Sequence, residues 1–309
     1  MGCVSHEVGD GTRGATSVQL SERVRLARGV KFRAMISKLI PWIQMRRRIG
    51  AVRRFIKAVW DARRWSTLDR QHLGFYRAFV RPGCLCFDIG ANQGNRTKVF
   101  LALGARVLAI EPQPSLYLVL RIGFLFNRKL TALRIAAGST AGVSSLRLSD
   151  ANVLSSLSED WIRAVQNSGR FRGARWDREI RVKVETLDAL IEKCGPPDFI
   201  KIDVEGFESE VLGGLSEIGD AVVSFEFIPE RWAELEKCVE RLRVIGANEF
   251  NYSVGEEMGM CIPDWVSGIG LLEMMKELRG NHVIFGDVFA RRGQGSGNSC
   301  GLAAGRMST

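Results

Sequence analysis

The chain has 309 residues, 46% of them hydrophobic and 25% charged, with a formal net charge of +10. That is enough for one large domain with a full core plus an appendage, in the composition range of globular proteins. No apolar run reaches the roughly 18–20 residues that a bilayer-crossing helix needs; the richest, Leu116–Phe126, is short and contains Arg121. The first apolar stretch lies deep in the chain and is full of arginine, so no secretory leader is expected. The seven cysteines are odd in number and fit no paired metal spacing. They predict reduced thiols and a cytoplasmic setting.

Residues 1–20 are rich in Gly, Ser and Thr without apolar periodicity and are predicted to be disordered. Residues 21–66 carry apolar positions at helical spacing, broken at Pro41, and 14 Lys and Arg against only Glu22 and Asp61. This basic amphipathic arm suits either an anionic membrane surface or a solvated face packed on the domain. Without it the rest of the chain is near neutral, which argues against a nucleic-acid enzyme.

From Arg81 the texture changes. Cys84–Ile89 reads as a strand, Gly90–Gly94 as a tight turn, and Thr97–Leu103 as a helix. Ala105–Ile110 is a second strand, Ser115–Phe126 a second helix, and Leu130–Ala137 a third strand. Residues 139–180 are less regular, with a short strand at Leu146–Leu148. Val182–Val184, Phe199–Asp203 and Val222–Phe227 read as further strands, with a helix at Thr186–Cys194. Residues 229–281 are helical around a strand-like Phe250–Val254, and His282–Phe285 and Val288–Arg291 are terminal strands. After Arg292 a Gly/Ser-rich tail is predicted to be disordered. This alternation predicts an α/β fold with a parallel sheet and right-handed crossovers.

Three acidic positions stand where such sheets bind ligands, at the carboxyl ends of strands. Asp88 precedes the Gly90–Gly94 turn by two residues. A carboxylate there repels a pyrophosphate and welcomes a cationic ligand, and the glycine spacing fits neither the dinucleotide nor the triphosphate fingerprint. Glu111 ends the second strand, where an acid accepts two hydrogen bonds from ribose hydroxyls. Asp203 and Glu205 follow Ile200-Lys201-Ile202, on one side if the strand continues; acids here also favour the N-terminus of a helix at Phe207–Leu212. Glu226 ends another apolar strand.

Together, Phe87-Asp-Ile-Gly-Ala-Asn-Gln-Gly94, Ile110-Glu-Pro112, Ser155-Ser-Leu157, Thr186-Leu-Asp188, Ile200-Lys-Ile-Asp-Val-Glu-Gly206 and Ser224-Phe-Glu-Phe227 resemble the FkbM-type family of class I S-adenosylmethionine-dependent methyltransferases. The resemblance spans roughly residues 80–230. It implies a Rossmann-like fold with a mostly parallel seven-stranded sheet and helices on both faces, here within residues 67–292 between the arm and a tail at 293–309. It implies S-adenosylmethionine as cofactor and O-methylation of a sugar, glycan or secondary-metabolite hydroxyl. Asp88, Gly90, Asn92 and Gly94 would then hold the methionine end of the cofactor, and Ala91 and Asp203 would also contact it. Glu111 would hold the ribose, and Pro112, Gln113, Ala136 and Ala137 would border the adenine.

Candidate general bases are Glu205, Asp203 and Glu226, in that order. The acids lack His or Cys partners, so no metal requirement is expected. His72 reads as a packing or surface residue. Two other classes stay open: a methyltransferase of nucleic acid or protein, and a non-catalytic binding module. The arm would dock the enzyme on an anionic membrane. The sequence leaves the acceptor and the oligomeric state open.

Overall fold

A computed structural model describes residues 50, 52–149, 154–168, 171, 173–256, 259–281 and 283–293. The chain divides into two compact units, Met1–Lys57 and Ala58–Thr309. In the first, only residues 50 and 52–57 are described, and all but the core of the arm's last helical stretch lies outside. The expected disorder at 1–20, most of the arm and nearly all of the tail at 293–309 thus fall outside the described residues.

The second unit is built on a seven-stranded sheet ordered β3-β2-β1-β7-β8-β10-β9. Its strands are β1 (Leu85–Ile89), β2 (Arg106–Ile110), β3 (Leu130–Leu133), β7 (Phe199–Ile202), β8 (Val222–Phe227), β9 (Glu249–Val254) and β10 (Gly286–Arg291). β10 runs antiparallel to both β8 and β9, while the other pairings are parallel. Three short strands, β4 (Ala136–Ala137), β5 (Gly142–Leu148) and β6 (Arg178–Glu185), form a second sheet ordered β4-β6-β5.

The central strands are apolar throughout because both faces are covered. Alternate residues serve opposite cores. Phe87, Ile89, Ile200, Ile202 and Phe225 face one cluster, with Leu187 and Leu190 of α5 (Leu187–Cys194), Val211 and Leu212 of α6 (Glu208–Gly213) and Leu235 of α7 (Trp232–Val244). Cys86, Val107, Phe199 and Phe289 face the other, with Tyr76 of α1 (Thr67–Tyr76), Val99 and Phe100 of α2 (Asn95–Ala102) and Leu120 of α3 (Pro114–Gly123). Ser66 starts α1 with a capping box closed by Asp69. α4 (Glu159–Ser168) packs Trp161, Ile162 and Val165 against Trp176, and α8 (Gly268–Met274) lies beside β9.

Three sequence expectations change. The strand expected at Leu130–Ala137 is two: it leaves the main sheet after Leu133, and Ala136–Ala137 pairs with β6 instead. The irregular stretch at 139–180 contains β5, α4 and the start of β6, and β5 and β6 pair antiparallel across the helix between them. Among the described residues of 282–285 there is no strand, and the last strand begins at Gly286. The described cysteines, Cys84, Cys86, Cys194, Cys238 and Cys261, are free thiols. No described helix is long and apolar enough to cross a membrane.

Candidate active site

A cavity of about 320 Å³ opens at the carboxyl ends of β1, β2, β7 and β8, within the size range of small-ligand sites. Pairing Ile89 with both Ile110 and Ile202 ends three strands at one level. Asp88, Glu111 and Asp203 therefore meet at one rim. All the candidate residues except Gly94 line the cavity: Asp88, Gly90, Ala91, Asn92, Glu111, Pro112, Gln113, Ala136, Ala137, Asp203, Glu205 and Glu226. Gly94 instead starts α2 as its N-cap.

Asp88 is buried, and its carboxylate accepts a short hydrogen bond from the Thr97 hydroxyl. Burial raises its pKa, against the lowering effect of Thr97 and Lys201. Gly90 has φ +83°, and a Cβ on it would sit 1.9 Å from the Asp203 carbonyl oxygen. Only glycine lets the β1 turn pass so close to the end of β7. The next turn returns through Asn92 at φ +51°. There the Asn92 N–H donates to Glu111 Oε2 at 2.9 Å, and the Gln113 N–H donates to Oε1 at 2.8 Å. Both oxygens keep further lone pairs for a ligand diol. Burial pushes the Glu111 carboxyl up to about 7 despite these two bonds.

At the other end, Asp203, Glu205 and Glu226 bring carboxylate oxygens within 4.8 Å of one another. The strand does not continue far enough to supply this grouping. β7 stops at Ile202, and Glu205 turns to φ +55°, so strand alternation does not align it with Asp203. The loop holds Glu205 instead. Ser156 Oγ donates to the Glu205 carbonyl at 2.6 Å, and the Glu208 carboxylate accepts the N–H groups of Val204 and Gly206. Left-handed backbone at a non-glycine residue is strain that concentrates at functional sites. Gly206, at φ +86°, is pressed against Trp161 of α4, where a Cβ would lie 2.2 Å from the ring. Burial, then the charge of Asp203, raises the pKa of both Glu205 and Glu226 well above the usual carboxylate range.

Four contributors escaped the sequence reading. Glu208 serves as a backbone clasp as well as a helix-start acid; burial raises its pKa to about 7. Lys201 is buried beneath the acids, its ammonium 3.0 Å from Asp287 and 3.5 Å from Asp203. Arg96 and Glu256 wall the cavity. Arg96 donates to Glu256 at 2.8 Å and lies 2.8 Å from His72 Nδ1. His72 Nε2 lies 3.1 Å from the Glu256 carbonyl. His72 is thus a buried tie between α1, α2 and the end of β9. The contact with His72, and then Arg96, lowers the Glu256 pKa to about 2.

A seven-stranded sheet of this order, with one antiparallel strand next to the edge and an acid-rimmed cavity at its carboxyl ends, is the class I methyltransferase fold. Residues 88–254 match the model of the methyltransferase FkbM domain, and the chain belongs to that family. No curated protein matches it in sequence. Among solved structures it is similar to precorrin-6y C5,15-methyltransferase from Geobacter metallireducens GS-15, at 11% identity and TM-score 0.39, covering 72% of this chain and 87% of that one. It is also similar to precorrin 8w decarboxylase from Methanobacterium thermoautotrophicum, at 13% identity and TM-score 0.39, covering 74% and 91%. A third is a TehB-like SAM-dependent methyltransferase from Corynebacterium glutamicum, at 12% identity and TM-score 0.36, covering 72% and 88%.

Proposed function

We propose that this methyltransferase uses S-adenosylmethionine to methylate a hydroxyl of a sugar, glycan or secondary metabolite. The observation that carries the reading is a single cavity with two chemically distinct ends. One end offers Asp88 for an ammonium, backbone at Gly90 and Asn92, and a Glu111 carboxylate steered by two N–H groups toward a diol. That donor set fits a nucleoside carrying an amino acid. The alanines at 136 and 137 offer small, buried side chains at the position assigned to the adenine. The other end holds three clustered acids.

The cofactor supplies an activated methyl group, so alignment carries much of the rate. The chain's own task is to bind the acceptor hydroxyl and take its proton. Glu205 is the first candidate base: it lines the cavity on a left-handed turn and clusters with Asp203 and Glu226. Asp203 and Glu226 adjoin it, and Lys201 below offsets part of the crowded negative charge. The three acids are an oxygen donor set of the kind that holds divalent cations. In this reading they act as base and acceptor ligands, so chelation leaves turnover unchanged.

The test is calorimetric titration of S-adenosylhomocysteine into wild type, Asp88→Ala and Glu111→Ala. Micromolar binding by wild type that both variants lose supports the cofactor assignment; no binding by folded wild type overturns it. Once an acceptor hydroxyl is found by screening, Glu205→Gln should abolish turnover while leaving S-adenosylhomocysteine binding intact. Unchanged turnover would remove Glu205 as the base.

A further inference from the structure

We infer that the surface formed by α3 and the turn after it docks on an anionic lipid membrane. Here the domain exposes large apolar side chains that its own core leaves uncovered. Phe126 is 87% exposed and Leu125 61%, with Leu118 and Ile122 on the outer face of α3. Positions 118, 122 and 125 recur at helical spacing and form one stripe. Trp60 adds to it: the segment at 58–63 packs on α3, with Ala62 and Val59 against Gly123, and Trp60 is 69% exposed. Beside the stripe lies a groove of about 350 Å³ floored by Leu101 and Phe124, with Arg63 at its edge. A contiguous apolar patch of this kind on a domain surface marks an interaction site.

Charge selects the occupant. Between Asn95 and Ser149 the sequence has one acid, Glu111, and that residue is buried in the cofactor cavity. The same stretch exposes Arg106, Arg121, Arg128, Lys129 and Arg134. Arg121 lies within the stripe, and Arg128 and Lys129 follow Phe126 directly. Apolar side chains that can enter a headgroup layer, followed directly in the chain by exposed bases without acidic neighbours in sequence, have the chemistry of a peripheral membrane surface. A protein partner of comparable fit would have to supply both an apolar socket and a dense acidic rim. α3 starts at the cavity, through Gln113, and its ten residues span about 15 Å, so the turn carrying Leu125 and Phe126 lies at its far end. Docking through Phe126 therefore leaves the cavity mouth open to the aqueous side. Trp60 and Arg63 come from the end of the basic arm at 21–66, while α3 and the turn after it belong to the folded domain.

The experiment is co-sedimentation of the full chain with phosphatidylcholine vesicles, with and without phosphatidylserine. The variants are Leu125→Ser with Phe126→Ser, and Arg128→Glu with Lys129→Glu. All four positions are exposed, and S-adenosylhomocysteine affinity serves as the check that the domain is intact. We expect binding that needs phosphatidylserine, falls in high salt, and is lost in the serine pair. Each base removed should weaken it about fivefold, and reversal should weaken it further. Wild-type binding indifferent to phosphatidylserine would overturn the inference. So would variants that bind as tightly as wild type, which would assign lipid contact to the arm. So would failure of the wild type to bind while the serine pair converts a dimer to a monomer, which would assign the patch to a second copy of the chain.

Discussion

Replacing Gly90 by alanine tests whether the cofactor end depends on the close approach of two backbones. The added Cβ would meet the Asp203 carbonyl oxygen at 1.9 Å and its carbon at 2.8 Å. An ordinary carbon–oxygen contact is roughly 3.3 Å, so the β1 turn or the end of β7 must retreat by about 1.4 Å. Both segments are backbone, and no side-chain rotation can absorb the shift. The left-handed φ adds about 1–2 kcal/mol for any residue with a Cβ. Gly83 supplies the control: its φ is +91°, and a Cβ there would meet nothing within 4 Å. Gly83→Ala should therefore lose only the conformational part, about 1–2 kcal/mol in urea denaturation, with cofactor affinity unchanged. Gly90→Ala should lose clearly more stability and weaken S-adenosylhomocysteine binding, because the forced retreat displaces the backbone that lines the cavity at Gly90 and Asp203. Equal destabilisation of the two variants, with binding intact in both, would refute the argument.

Two further outcomes follow from buried charge. The Glu111 pKa rises from an ordinary 4.5 to about 7 on folding, so between those values the folded chain keeps a proton that the unfolded chain has released. Its contribution to stability is therefore full below about pH 4.5 and lost as pH rises through 7, a change on the order of 3 kcal/mol. Relative to wild type, Glu111→Gln should be more stable at about pH 8 than at about pH 5 by that order, measured by urea unfolding; a pH-independent difference would contradict this. Lys201→Met should cost about 3–5 kcal/mol, because it leaves the buried Asp287 carboxylate without its cation. Little loss in thermal or urea unfolding would show that the carboxylate finds another partner.

The end of the cavity around Asp88 and Glu111 was legible in the sequence because most of its residues are near neighbours in it. A strand, a glycine turn and a helix fall within Leu85–Ala102, and Glu111 ends the next strand, so parallel pairing brings Asp88, Glu111 and Asp203 to one rim. The acceptor end was legible only in its residue names. Glu205 reaches the acids through a left-handed turn pinned by Ser156, 49 residues earlier in the chain. No periodic pattern encodes that. The His72–Arg96–Glu256 tie joins positions 184 residues apart, and Lys201 meets Asp287 86 residues away. One sequence holds no signal for such pairs. The break after Leu133 was hidden for a different reason: Ile135-Ala136-Ala137 continues the apolar texture of β3, and only the pairing of Ala136 and Ala137 with β6 moves them to another sheet.

The cavity gathers acids whose environment favours their protonated forms, Asp88, Glu111, Glu205 and Glu226. For each the leading cause is burial, and for Glu205 and Glu226 the next is a neighbouring carboxylate. Such a site resists ionisation on its own and welcomes a positive charge. S-adenosylmethionine carries a methyl and the fixed sulfonium charge it creates, both of which S-adenosylhomocysteine lacks, while the two share the rest of their structure. Whichever acids face the sulfonium gain an opposite charge and release protons on binding. S-adenosylmethionine affinity should therefore strengthen relative to S-adenosylhomocysteine as pH rises. Calorimetry of both ligands across a range of pH, in buffers of different ionisation enthalpy, counts the protons directly. An affinity ratio that stays constant with pH, with equal proton counts for the two ligands, would mean that the sulfonium faces none of these acids, and this charge argument would have to be withdrawn.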